Sequence, residues 1–395
     1  MLLTATLFIS ALALPSSDTP SLTAEHLYTG FNRPVMLAID AGASSEAGEL
    51  SLVLMTAEGA VMAGPLAARA GRFDLADLLP QIWELRRACY LQLLEDGEPV
   101  GTSLVIQPLM SRPPIWIERA TRPDGVTRYT RIVGWGNDPP PGWEPPLTAE
   151  ERQAIERATG SDSRDDETQD EQGAPAASPP AEQEDNRPEP EPELCSGFRV
   201  YPEQDVLIET SEGDIRMALR PDEAPNTAWN FLELARGGFY RDVIFHRIVP
   251  LERNGWPFVI QAGDPTGGGS GGPGYWLPIE PSILPHDFGV ISMARADDPD
   301  SAGSQFFICL SREGTARLDG QYCAFGYAVE GADVIQKIAA APLADLAAGR
   351  PANPPVIRDA RVVSAPPRTP EIGRGDQPVE PATPETPTHP GRVPR

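Results

Sequence analysis

The chain has 395 residues, room for two or three domains of ordinary size, and a formal net charge of −25. So acidic a chain is poorly matched to neutralising nucleic-acid phosphates or an anionic membrane surface, and neither is expected as a partner. Its four cysteines lack Cys-x-x-Cys spacing and its four histidines are widely dispersed, so no metal site is expected.

The N-terminus, "MLLTATLFISALALPSSDTP", is an apolar run followed by Ala-Leu-Ala and then Pro and Ser. Residues 1–20 resemble a secretory signal with a small-residue cleavage site, although no Lys or Arg precedes the run. An exported product, periplasmic or extracellular, is therefore expected. No other stretch approaches the roughly 18 apolar residues of a membrane span.

Residues 24–143 read as a small all-β, sandwich-like domain. "RPVMLAID" and "ELSLVLMT" are short runs rich in branched apolar residues. "CYLQLLEDGEPVGTSLVI" is two alternating runs about Asp96-Gly97, a pair that favours a tight hairpin turn. "PPIWIERATRPDGVTRYTRIV" repeats the pattern around Pro123-Asp124-Gly125. Helical spacing occurs in "DLADLLPQIWELRRA", where Pro80 interrupts it. Trp83, Trp116, Trp135 and Trp143 could form a ligand platform, but packing in core or rim is favoured, because nothing near them suggests catalysis.

Residues 144–197 are rich in Pro, Glu, Asp, Gln and Ser, and cannot bury enough apolar surface to offset chain entropy. A disordered acidic linker is expected there. The Pro-rich residues 365–395 are expected to be a disordered tail, and the Arg-Gly-Asp tripeptide within it, at 374–376, is attributed to chance.

Between these lies a folded region, 198–364. "QDVLIETSEGDIRMALR" reads as two strands about a turn at Glu212-Gly213-Asp214. "PNTAWNFLELARGG" reads as a helix: Pro225 suits the first helical position, Ala228, Phe231, Leu232 and Ala235 make one apolar stripe, and Gly237 supplies a stop. In "SAGSQFFICL", strand alternation puts Ser304, Phe306, Ile308 and Leu310 on one face and Gln305, Phe307 and Cys309 on the other. The first set is core-like; the second pairs an amide with an aromatic ring. Cys309 and Cys323 are expected to be free buried thiols.

The segment "GDPTGGGSGGPGY" satisfies two patterns by accident, G-x-G-x-x-G through Gly267, Gly269 and Gly272, and G-x-S-x-G around Ser270. Both motifs need a helix to begin at once, and Pro273-Gly274 prevents it. Neither a nucleotide nor a serine-hydrolase site is expected.

"IFHRIV", "FVIQAGDPTGGGSGG", "GVISMARA", "SAGSQFFICL" and "LDGQYCAFGYAVEG", in this order, resemble the signature blocks of the cyclophilin-type peptidyl-prolyl cis-trans isomerases over residues 198–364. The resemblance implies a mainly β protein, with a closed eight-stranded antiparallel β-barrel capped by two helices. It also implies an external groove for proline-containing polypeptides, no cofactor, and a monomer. Matched residue by residue, Arg247 takes the catalytic place with Gln261 as its partner. Phe258, Val259, Phe307 and Leu318 form the proline floor, while Ala294, Gln305 and Tyr322 line the groove. His246 is implied to be structural.

The sequence departs from the family pattern at an insertion, residues 251–257, and at Val259, Arg295, Arg317 and Tyr322, where methionine, asparagine, tryptophan and histidine are common. Loss of the tryptophan implies reduced cyclosporin binding. The implied function is proline isomerisation during folding of exported proteins; the alternative is a module that holds proline peptides without turning them over.

Overall fold

The computed structural model describes residues 19–42, 48–121, 128–136, 138–142, 194–252 and 255–381. All but the end of the expected signal segment lies outside them, as do Pro123-Asp124-Gly125, Trp143 and most of the expected linker. Among the described residues no helix is long and apolar enough to cross a membrane. The protein is mainly β with few helices.

Alternating apolar residues build two sheets in the N-terminal region. One runs in the order Ser21–Ala24, Met36–Asp40, Gly71–Asp74; the other has six strands, including Leu50–Met55, Cys89–Glu95 and Glu98–Met110. The hairpin turn falls on Asp96 and Gly97, both at positive φ, with Glu95 opposite Glu98. Leu37 and Ile39 of the first sheet share one core with Leu52, Leu91, Leu104 and Ile106 of the second. Asp74 caps a one-turn helix, Leu75–Leu78, and Pro80 opens the 3-10 turn Pro80–Glu84, as the interrupted helical pattern predicts. Trp83 packs between Phe31 and Phe198, with ring centroids 5.2 and 4.9 Å away.

The structure corrects two expected boundaries. Residues 112–193 separate as their own compact unit, so the expected 24–143 domain is divided; their described part is the hairpin Ile115–Thr121 and Arg128–Trp135, where Trp116 Nε1 donates to the carbonyl of Gly136. The strand Cys195–Pro202 runs across the expected start at 198 and pairs with Tyr28–Gly30 and Glu98–Met110 of the six-stranded sheet. Only Glu203 then separates it from Gln204–Thr210, the first strand of the following sheet.

That sheet has nine strands, in the order Val243–Ile244, Val356–Ser364, Gln204–Thr210, Gly213–Leu219, Ala324–Glu330, Val290–Met293, Phe306–Cys309, Val259–Ala262, Arg247–Val249. It differs from the expected closed eight-stranded barrel. The two edge strands follow one another in the chain, joined by Phe245 and His246, so the sheet is curled but not closed. Among the described residues no ladder joins those edges; Phe245 and Ile248 donate instead to the carbonyls of Pro355 and Gly349. The turn between the first two strands sits at Ser211-Glu212, one residue before the expected place.

Helix Pro225–Arg236 buries Ala228, Phe231, Leu232 and Ala235 and ends at Gly237. No side chain of its own caps it, and the buried Glu280 does so by accepting from the N–H groups of Asn226 and Thr227. Phe231 meets Phe306, Tyr240 and Phe325 at 5.2–5.4 Å to form the core. A second helix, Ala332–Ala339, buries Val334, Ile335 and Ile338.

Residues 365–381 correct the expected tail. Arg368 Nε and Nη2 grip the carboxylate of Glu203, both at 2.8 Å, and its guanidinium lies 3.5 Å from the Tyr90 ring centroid. Arg374 grips Asp205 at 2.7 and 2.9 Å and also bonds Asp376. Composition counts charge as solvation, but these two arginines are buried against buried carboxylates. Of the Arg-Gly-Asp tripeptide, Arg374 is thus held inside, while Gly375 is exposed.

Candidate functional site

Strand register builds the site. Arg247 lies directly opposite Gln261, and Gln261 directly opposite Phe307, so the three occupy one row across three strands. On the next row of that face, Val249, Val259 and Cys309 are opposed in the same way. Ile260, Ile308, Ala262 and Phe306 fill the intervening rows and are fully buried. The Gln-Phe face of "SAGSQFFICL" is thereby explained: it is the lining of this site, while Phe306 and Ile308 hold the core.

Arg247 Nη1 donates to Gln261 Oε1 at 3.2 Å; Gln261 Nε2 donates to Gln305 Oε1 at 3.1 Å; Gln305 Nε2 donates to the carbonyls of Gly269 and Gly271 at 3.0 and 2.8 Å. A guanidinium can only donate, so Gln261 must turn its oxygen toward Arg247 and its nitrogen toward Gln305. One charged donor therefore sets the direction of the whole chain. The glycine-rich loop that mimicked two other motifs is the far end of it.

Asp264 anchors that loop. Its carboxylate accepts from Thr266 N and Oγ1 and from Gly269 and Gly271 N, at 2.5–3.0 Å. Burial alone would raise its pKa, but the hydrogen bonds from Gly271, Thr266 and Gly269 more than offset this and hold it at about 2. Burial lowers the pKa of Arg247, against smaller opposing pulls from Tyr322 and Glu252. His246 takes no part in the donor chain, which runs from Arg247 through Gln261 to Gln305.

On the same face lies an apolar cluster, the slot. Phe258, Val259, Phe307, Cys309 and Leu318 form one cluster, against which Ala294 and Tyr322 pack. Tyr322 stands edge-on to Phe307 at 5.7 Å. The N–H of Ala294 donates to the Gln305 carbonyl, so any bond from Ala294 to a peptide must come from its own carbonyl. Leu318 is presented by the short helix Arg312–Thr315 and the turn Ala316–Leu318. Ser311 caps that helix by accepting from Gly314 N and ties it to the slot by donating to the Pro257 carbonyl at 2.7 Å. A side chain at Gly314 would meet the Pro257 carbonyl at 2.0 Å, so only glycine fits. All nine sequence-predicted site residues thus fall in one place.

His286 is not legible from the sequence, and for the departures Arg317 and Arg295 the sequence does not show what they touch. His286 stacks on Phe307 with 20° between the planes, held by Ser292 Oγ on Nε2 and Asp319 on Nδ1. Arg317 places its guanidinium 4.4 Å from the Phe258 ring centroid, and Arg295 places its own 4.6 Å from that of Tyr322. The four cysteines are free, and burial raises the thiol pKa of Cys323 to about 12 and of Cys89 to about 11. The face thus sets the Arg247 donor, held by Gln261, beside an apolar cluster that two further arginines cover in part.

Residues 205–362 match the family model "Cyclophilin type peptidyl-prolyl cis-trans isomerase/CLD". A peptidyl-prolyl cis-trans isomerase of Synechococcus elongatus is 43% identical over 121 residues, which are 31% of this chain and 77% of that protein. Peptidyl-prolyl cis-trans isomerase-like 1 of Rhizopus delemar is 40% identical over 140 residues, 34% of this chain and 79% of that protein. A crystal structure of a Cryptosporidium parvum cyclophilin type isomerase in the presence of the dipeptide Ala-Pro is 34% identical, with a TM-score of 0.37, covering 41% of this chain and 99% of that one.

Proposed function

The chain belongs to the cyclophilin-type peptidyl-prolyl cis-trans isomerases, and from that premise we propose that Arg247 drives rotation of X-Pro bonds seated on the Phe258–Phe307–Leu318 slot. Rotation about that bond meets a barrier of about 18–20 kcal/mol because conjugation must be broken. At the twisted midpoint the proline nitrogen regains a lone pair and becomes a hydrogen-bond acceptor. A guanidinium aimed at that nitrogen stabilises the midpoint more than either planar isomer, which is the condition for catalysis. The slot holds the ring still while the preceding carbonyl swings. No covalent bond breaks, so the reaction asks for no nucleophile.

The observation that carries this reading is the bond from Arg247 to Gln261 at the edge of the slot. It holds the guanidinium by one nitrogen and leaves other donors to face a ligand. Exchange spectroscopy on a proline peptide tests it: the parent accelerates cis-trans exchange and Arg247→Ala does not. A parent that binds the peptide without accelerating exchange would instead be the holding module.

The clients are proline-containing polypeptides, and the apolar N-terminal segment supports a folding role outside the cytoplasm. Intact mass of the secreted product tests this, since export by cleavage removes about the first 20 residues.

A further inference from the structure

Arg317 lies over the Phe258 ring of the apolar cluster, and Arg295 over Tyr322, which packs against it. Arg317 donates to the Gly314 carbonyl at 2.6 Å and is ion-paired with Glu252. That pair shows that a carboxylate fits against the exposed edge of this guanidinium. Arg295 spends its donors on the carbonyls of Gln321, Ala296 and Asp297 at 3.0–3.3 Å. The nearby carboxylates of Asp297 and Asp298 form no ion pair with it among the described residues. With Arg247, three guanidiniums border the slot, and Glu252 is ion-paired with one of them, in a chain whose net charge is −25. Consecutive Cα atoms lie about 3.8 Å apart, so the neighbours of a proline seated between Phe258 and Phe307 pass within a residue or two of both arginines.

We propose that Arg317 and Arg295 are specificity-determining residues that favour prolines flanked by carboxylates, so that the substrates are acidic proline-bearing polypeptides. The inference rests on the isomerase reading above. Glu252 then acts as an internal competitor, occupying Arg317 until a substrate carboxylate displaces it.

The test measures kcat/KM of the full chain by exchange spectroscopy on three peptides that carry Glu, Gln or Lys beside the proline. The Glu peptide is expected to exceed the Gln peptide about three- to fivefold at low salt, the size of a partly exposed charge pair. This ratio falls toward one at about 1 M salt, where the screening length is about 3 Å. It rises further in Glu252→Gln and falls in Arg317→Leu and Arg295→Leu, while Arg317→Lys recovers part of it. Equal rates for Glu and Gln peptides, a preference for Lys, or a ratio unmoved by both leucine variants would overturn the inference while leaving the isomerase reading intact. Failure to accelerate even the Gln peptide would overturn both.

Discussion

In the proposed mechanism Arg247 is useful because its freedom has been removed. A guanidinium on a flexible stem must lose rotamer entropy before it can meet a transient acceptor. Here the row Arg247–Gln261–Phe307 sets its place, and the Gln261–Gln305 chain sets its direction. Arg247→Ala is therefore expected to lower kcat/KM by about 100-fold or more, the cost of losing one preorganised donor. Arg247→Lys should recover little, because an ammonium lacks the planar fork. Gln261→Leu should cost about tenfold, mainly in kcat, since it frees the arginine without emptying the slot. Peptide titrations alongside the kinetics separate the two terms.

Asp264 supplies a residue-scale prediction in pH. Its folded pKa, about 2, lies below the ordinary carboxylate value of 3.8. The unfolded chain therefore binds the proton first, and the stability that Asp264 contributes is complete above about pH 4 and lost as pH falls toward 2. Asp264→Asn is expected to flatten that part of the stability profile, followed by denaturant midpoints at a series of pH values. It should also lower kcat at neutral pH, because Gln305 leans on the loop that Asp264 holds.

At the scale of elements, the segment 365–381 behaves as a strap. Arg368 and Arg374 bring their charges to Glu203 and Asp205, where the strand Cys195–Pro202 gives way to Gln204–Thr210. Ser103 Oγ adds a 2.6 Å hydrogen bond to Glu203, and Gln92 accepts from the backbone N–H of Arg368. The strap, the six-stranded sheet and the nine-stranded sheet thus share one buried polar network. Arg374→Ala would leave Asp205, fully buried, with a diminished partner set, at an expected cost of about 3–5 kcal/mol in denaturant unfolding. The conservative Arg374→Lys should recover only part, because one ammonium cannot bond both carboxylate oxygens in the same fork.

For the whole molecule, the same network predicts the result of cutting it. A fragment of residues 198–364 would lose the strap and expose Phe198 and Val200, which are buried in the N-terminal core. It would also leave Glu203 without its two arginines and Asp205 with Arg216 alone. Such a fragment is expected to melt well below the full chain, or to aggregate, while one spanning residues 19–381 keeps its stability. Differential scanning calorimetry of the two decides it. The proposed site residues all lie inside the family match, residues 205–362, so any activity the fragment retains should have the same Arg247 dependence.

What the sequence determined by itself was local or close to local. Pro225, the apolar stripe and Gly237 marked a helix from end to end, because each acts on backbone within a turn or two. Asp96-Gly97 marked a hairpin for the same reason, and alternation in "SAGSQFFICL" separated core face from groove face. The ordered family blocks then brought Arg247, Gln261 and the slot residues together. What only the tertiary structure decided lay between distant residues. Arg368 and Glu203 are 165 positions apart, and neither marks the other in composition or period. A Pro-rich, charged tail reads as solvated until two buried carboxylates are known to face it. That Arg317 and Arg295, visible in the sequence as departures, stack on Phe258 and Tyr322 is likewise hidden along the chain, since stacking depends on where folded walls meet. Periodicity reports the neighbours a residue has in sequence; burial of a charge depends on the neighbours that folding brings to it.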